Sequence, residues 1–210
     1  MKTQQTDITP RERILRTAAE LFYHQGYRAT GINEVIARSG VAKATFYNNF
    51  PSKDDLCLAY LQDRNTSEYE AIVASVHDHD TPRQRFMAVM QSLQPWLEAN
   101  RLRGCAFLHM VAEVPDPGHM LREEGIKHYQ SLRQFIRGLA EDLIASDPEA
   151  YGRLNADILT DDYLVILGGA IAMTEIYQDL WPVAQAVVLI ERLIASESHV
   201  PENRQTCLSP

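Results

Sequence analysis

Apolar residues recur at helical spacing along the whole of this 210-residue chain, and no stretch alternates apolar and polar residues between turns as a half-buried strand would. That pattern restricts the fold to an all-α one, and no internal repeat or low-complexity stretch suggests a solenoid. About nine helices are expected. The first starts at Pro10, a residue favoured in the first helical turn, buries Ile14, Leu15, Ala18, Leu21 and Phe22, and stops at Gly26. In the second, Thr30 offers an N-cap oxygen, Ile32, Val35, Ile36 and Ala37 face inward, and Gly40 ends the helix. A tight turn leads to a third, Lys43 to Asn49. After Pro51, Ser52 with Asp55 three residues on marks the start of a long helix to about residue 76. Five more are expected at about 82–99, 104–114, 117–146, 155–179 and 182–197, separated by Pro82, Gly104, Pro115, Pro117, Pro148 and Pro182.

The formal net charge of −8 argues against a polyanionic partner, but it is unevenly distributed. Residues 1–53 carry eight basic and four acidic side chains, and the remainder twelve basic and twenty-four acidic. The first quarter is therefore at +4 and the rest at −12. A basic end on an acidic body is the signature of a nucleic-acid-binding module joined to a part with another task. The acidic body repels phosphate and confines contact to the basic end.

Cys57, Cys105 and Cys207 are odd in number and far apart, without zinc-ligand or disulfide spacing, which suits a reducing compartment. The N-terminus has no apolar core of a signal peptide, and the longest apolar run, Leu164 to Met173, is about ten residues, too short to cross a bilayer. A cytoplasmic location is expected.

Three helices within some fifty residues, the second and third joined by a turn at Gly40, have the spacing of a helix-turn-helix whose third helix enters the major groove. That third helix carries Lys43, short polar groups and the Tyr47 hydroxyl, with Phe46 and Phe50 as anchors. The segment RILRTAAELFYHQGYRATGINEVIARSGVAKATFYNNFPSKDDL closely resembles the N-terminal domain of TetR/AcrR family regulators. The resemblance covers about residues 11–56 and includes Gly26, Tyr27, Thr30, Gly40, Thr45, Phe46, Tyr47, Phe50 and Lys53. Beyond it, the chain resembles the family in length and helix count, with a weaker likeness of RGCAFLHMVAEVPDPGHMLRE to one broad subgroup.

The resemblance implies that Thr30, Thr45, Tyr47 and Lys53 touch phosphates and that Lys43, Ala44 and Asn49 face base edges; Asn33 on the preceding helix is within reach of a base. Chemistry agrees. Lys53 at a helix start is a point charge for phosphate. Lys43 can donate to guanine, and Asn49 can pair with adenine. Ala42 stands where many relatives have Ser or Thr, which removes a hydroxyl N-cap from the third helix.

Helices 155–179 and 182–197 are apolar over a wider arc than one-sided burial needs. Val165, Gly168, Gly169, Ala172, Ile176, Val187, Ile190, Leu193 and Ile194 are therefore expected at a homodimer interface. Candidates for a ligand pocket are Trp96, Phe107, His109, Met110, Tyr129, Tyr163 and Met173, since such pockets are mostly apolar with a few placed polar groups. Cys105, His109 and Glu113 share a helical face, but the outer two are too far apart along the axis to bind one ion together. No metal and no cofactor are expected.

The expected organisation is a helix-turn-helix DNA-binding domain over residues 1–53, a helical ligand-binding and dimerisation domain over 54–198, and a flexible tail over 199–210. The expected function is a dimeric, ligand-responsive regulator of transcription that binds a palindromic operator in double-stranded DNA and is released by a small molecule. Repression is the usual habit of the family it resembles. The alternative keeps the DNA-binding end and gives the body a protein partner. An enzyme is disfavoured, since no nucleophile elbow, zincin motif or phosphate loop occurs.

Overall fold

The computed structural model describes residues 8–195, and the tail 199–210 lies outside the described residues. Those residues form eleven helices and no strand: α1 Pro10–Gln25, α2 Ile32–Ser39, α3 Lys43–Asn49, α4 Lys53–His77, α5 Pro82–Gln91, α6 Leu93–Ala99, α7 Ala106–Glu113, α8 Met120–Ser146, α9 Pro148–Tyr151, α10 Ala156–Tyr177 and α11 Trp181–Ala195. The two beyond the expected nine have local causes. The helix expected over 82–99 breaks at Ser92, because Pro95 has no N–H to donate to the Gln91 carbonyl. The short α9 is started by Pro148 behind an Asp147 cap whose side chain accepts from the Ala150 amide.

Packing divides the chain into two compact units, Met1–Ala71 with Cys105–Ser131 and Ile72–Gly104 with Leu132–Pro210. This differs from the motif boundary expected at residue 53, since the first unit adds most of α4, all of α7 and the start of α8 to the three N-terminal helices.

In the first unit, α1 opens with a capping box in which Thr9 accepts the Glu12 amide and Glu12 accepts the Thr9 amide. Its stripe of Ile14, Ala18, Leu21 and Phe22 is buried, together with Val35, Phe46, Phe50, Leu56 and Leu61. Each of these side chains larger than alanine contributes about 1.5–3 kcal/mol of transfer free energy. Ala37 is exposed, contrary to expectation, because it lies well round α2 from the Ile32–Val35–Ile36 stripe. Gly40 takes the left-handed conformation (φ 66°) that ends α2.

In the second unit, α10 buries Leu159, Tyr163, Leu167, Ala170, Ile171 and Thr174 on one face, and α11 buries Val183, Ala186, Ile190 and Ile194. Ile190 and Ile194, expected at a dimer interface, thus belong to the protomer's own core, because they continue the i, i+3, i+7 stripe begun by Val183. Tyr163 and Met173, expected to line a pocket, are accounted for otherwise. Tyr163 is fully buried, edge-on to Phe86, with its hydroxyl donating to the Phe86 carbonyl at 3.2 Å. Met173 is exposed on the outer face of α10 beside Gly169 and Ile176. No helix among the described residues is long and apolar enough to cross a membrane.

Candidate nucleic-acid interface

The α2–turn–α3 segment is anchored from below. Phe46 is fully buried and Phe50 nearly so, and their rings pack at 6.4 Å. With that side fixed, the opposite side of α3 presents Lys43, Ala44, Tyr47 and Asn48, all exposed, at i, i+1, i+4 and i+5. Tyr47 stands edge-on to Phe46 at 5.3 Å, so its ring is braced while the residue stays exposed. Ala42 caps α3 without a side-chain hydrogen bond. Asn33 of α2 is also exposed.

Two expected contacts are placed otherwise. Thr30 is buried at 1% exposure, and its hydroxyl donates to the Gly26 carbonyl at 2.8 Å. It closes the α1–α2 turn and is neither the α2 cap, which is Gly31, nor free to meet a phosphate. Asn49 is half-buried and its amide donates to the Thr45 carbonyl at 2.8 Å, which ties it to its own helix. Thr45 is half-buried as well. Asn48, passed over in the sequence, is the asparagine on the open face, and the i, i+1, i+4, i+5 spacing from Lys43 was the signal that could have found it.

Lys53, the first residue of α4, folds back over the head. Its ammonium lies 4.3 Å from the Tyr27 ring centroid and 3.4 Å from the Arg28 carbonyl oxygen, and partial burial lowers its pKa. Behind it the α4 start is set by Ser52, whose hydroxyl accepts the Asp55 amide at 3.0 Å.

The α1–α2 turn is held from the far side of this unit. Glu113, the last residue of α7, accepts the backbone amides of Tyr27 at 3.1 Å and Arg28 at 2.7 Å. Gly26, at φ 91°, leaves the room this carboxylate occupies, since a Cβ there would come within 2.5 Å of Glu113 Oε1. Nearby, the Tyr27 hydroxyl donates to Asp54, whose other oxygen lies 3.3 Å from His119 Nε2. Burial and the Asp54 carboxylate push the Tyr27 phenol further up. Glu113 is thus engaged with the head, while Cys105, at the other end of α7, is buried with its sulfur accepting from the Tyr129 hydroxyl at 3.6 Å.

Of the expected pocket residues, Phe107, His109, Met110 and Tyr129 belong to the first unit, and Trp96, Tyr163 and Met173 to the second. On α10 and α11, Val165, Gly169 and Ile176 are exposed and Gly168, Ala172, Val187 and Leu193 half-buried.

Residues 14–60 match the sequence profile of bacterial regulatory proteins of the tetR family. The regulator LmrA of Bacillus subtilis is 31% identical over 127 residues, covering 58% of this chain and 68% of that protein. The repressor DhaR of a Mycobacterium species is 22% identical over 198 residues, covering 90% of this chain and 95% of its own. In two other matched regulators the chain spans only 40% and 26% of their length. Among solved structures, a TetR-family regulator of Streptomyces coelicolor, SCO4454, superposes with a TM-score of 0.80 at 26% identity, covering 88% of this chain and 94% of that one.

Proposed function

This chain belongs to the TetR family of bacterial regulatory proteins, and from that premise we propose that it is a dimeric transcriptional repressor that binds a palindromic operator in cytoplasmic DNA and releases it when a small molecule binds. The observation that carries the reading is the open face of α3, where Lys43, Ala44, Tyr47 and Asn48 stand clear of the core on a helix pinned by Phe46 and Phe50. In this reading Lys43 and Asn48 meet base edges, Ala44 allows close approach and Tyr47 and Lys53 meet phosphates. Asn33 and the half-buried Thr45 are kept in the same DNA-facing set, Thr45 toward phosphate.

Dimerisation is supported by the apolar outer face of α10 and α11. Val165 is 75% and Ile176 67% exposed, with Met173, Val188 and Leu189 also open to solvent. Surfaces of this kind on a folded chain mark contacts with another protein. A second copy is the economical partner, since two-fold symmetry then places two α3 helices on two half-sites. Repression is supported by the full-length likeness to DhaR.

Response to a small molecule rests on α7. Near its N-terminal end Phe107 stacks on the buried His128, while its last residue, Glu113, holds the α1–α2 turn. A shift of α7 acts directly on the head, and a coupling of about 1–3 kcal/mol suffices to release DNA. The test is selection of bound sequences from random DNA, followed by displacement of the selected operator with metabolite panels. An inverted repeat and a saturable displacement are expected. Random recovered sequences would remove the reading.

A further inference from the structure

On α4 of the first unit, Tyr60, Arg64 and Glu68 lie on one helical face at i, i+4 and i+8. Tyr60 is 2% exposed, and the side chains of Arg64 and Glu68 are 23% and 11% exposed. Arg64 Nη2 pairs with Glu68 Oε1 at 2.9 Å, while Arg64 Nε and the Tyr60 hydroxyl have no hydrogen-bond partner. Buried polar atoms without partners are rare in folded proteins, so two of them beside a buried ion pair on one helical face need a reason.

The surroundings are aromatic. The Tyr23 ring lies 4.9 Å from the Arg64 guanidinium carbon. From α8, His128 Nδ1 lies 2.7 Å from Asn65 Oδ1, and the imidazole stacks on Phe107 of α7 at 3.8 Å and 7°. The Tyr129 ring stands edge-on to it at 5.2 Å.

We propose that this face of α4 binds an uncharged, planar, aromatic molecule that carries a carbonyl oxygen beside a hydroxyl or N–H group. Arg64 Nε and the second hydrogen on Nη2 form a two-donor fork that calls for an oxygen acceptor, and Glu68 Oε1 keeps a lone pair for a second donor. Arg64 and Glu68 already balance each other, so an anionic or cationic ligand would bury a third charge without a partner. Aromatic walls on α1, α7 and α8 suit a flat ring. Recognition is non-covalent, since burial pushes the Cys105 thiol up to about 11 and keeps it from acting as a thiolate. Burial likewise lowers His128 to about 4, which leaves the imidazole uncharged at neutral pH.

The proposal rests on the ligand-responsive reading above, and the experiment separates the two. The full-length protein on its selected operator is titrated with 2-hydroxybenzamide, 2-hydroxybenzoate and toluene, and thermal shifts are recorded for wild type, Arg64→Met/Glu68→Met and Tyr60→Phe. The expected result is a shift and operator release by 2-hydroxybenzamide in the millimolar range, as suits a ligand of about ten heavy atoms. The benzoate should act roughly tenfold more weakly, a difference of about 1.4 kcal/mol. The double variant should lose the response and melt higher than wild type in the absence of ligand, since apolar side chains replace a buried ion pair whose desolvation is costly. Tyr60→Phe should keep its melting temperature and bind 2-hydroxybenzamide more weakly, which preserves the test if the double variant does not fold.

A lowered melting point in both variants with unchanged response would mean a structural cluster satisfied by ordered water only, and would overturn the proposal. Preference for toluene or the benzoate, or no binding of 2-hydroxybenzamide, would overturn it too. If a cell extract releases wild type and double variant alike, this site is wrong and ligand control stands. If neither extract nor probes release the wild type, ligand control itself is wrong.

Discussion

The carboxylate of Glu113 lies 2.7 Å from the backbone nitrogen of Arg28, which joins the last residue of α7 to the turn that carries α2 and α3. The same side chain takes the Tyr27 amide and fills the space left by Gly26. Hydrogen bonds to a charged group contribute about 1.5–3 kcal/mol each when shielded from water. Glu113→Ala should cost about 2 kcal/mol in denaturant unfolding and weaken the link between inducer and operator. Gly26→Ala, forced into a backbone region that is essentially glycine-only and against that carboxylate, should cost about 1–3 kcal/mol. Unfolding midpoints of both variants equal to wild type would show that the junction holds nothing.

Within α3, the two neighbouring asparagines should behave differently. Asn48→Ala should alter the preferred base at one position of each half-site with little change in stability. Asn49→Ala should lower helix stability by about 0.5–1.5 kcal/mol through loss of its bond to the Thr45 carbonyl, and leave base preference alone. Sequencing of bound DNA pools for the two variants decides it, and a reversed outcome would return the reading role to Asn49.

Lys43 and Lys53 differ in the same way. Lys43→Ala should relax base preference at one position. Lys53→Ala should weaken all sequences and shallow the salt dependence by about one counterion per protomer. Identical salt slopes for wild type and Lys53→Ala would deny it a phosphate contact.

His128 should make stability fall in mild acid. Burial lowers its folded pKa to about 4, below the ordinary 6.5, so the unfolded chain binds the proton more readily. The stabilisation is full above pH 6.5 and is lost as pH falls towards 4, to a total of about 3 kcal/mol. The difference in unfolding free energy between wild type and His128→Gln isolates this contribution. A difference constant from pH 4 to 7 would contradict it.

Val165→Asp with Ile176→Asp should leave a folded monomer with operator affinity reduced by orders of magnitude, seen in sedimentation at micromolar concentration. A dimeric double variant would place the interface elsewhere.

Much of this was legible in the residues because its causes are local. Pro10, Gly26, Gly40 and Ser52 set the ends of α1 to α4 through backbone geometry and caps that act within a turn. The break at Ser92 was readable from Pro95, though the surrounding apolar run hid it. Thr30 was misjudged because residue type does not say which way a hydroxyl turns, and a carbonyl four residues back competes with any phosphate. Ile190 and Ile194 were assigned outward because an apolar helix looks the same on both faces until its neighbours are known. The Tyr60, Arg64 and Glu68 cluster was not legible, since the α7 and α8 residues around it come some forty to seventy positions later in the chain.

The central claim is that two copies of this chain read two half-sites through α3. Hydroxyl-radical footprinting of the selected operator, with stoichiometry from sedimentation, tests it most directly. The account predicts an inverted repeat with two symmetry-related protected patches about one helical turn, 34–36 Å, apart, and two protomers bound. A single asymmetric patch protected by one protomer would contradict it.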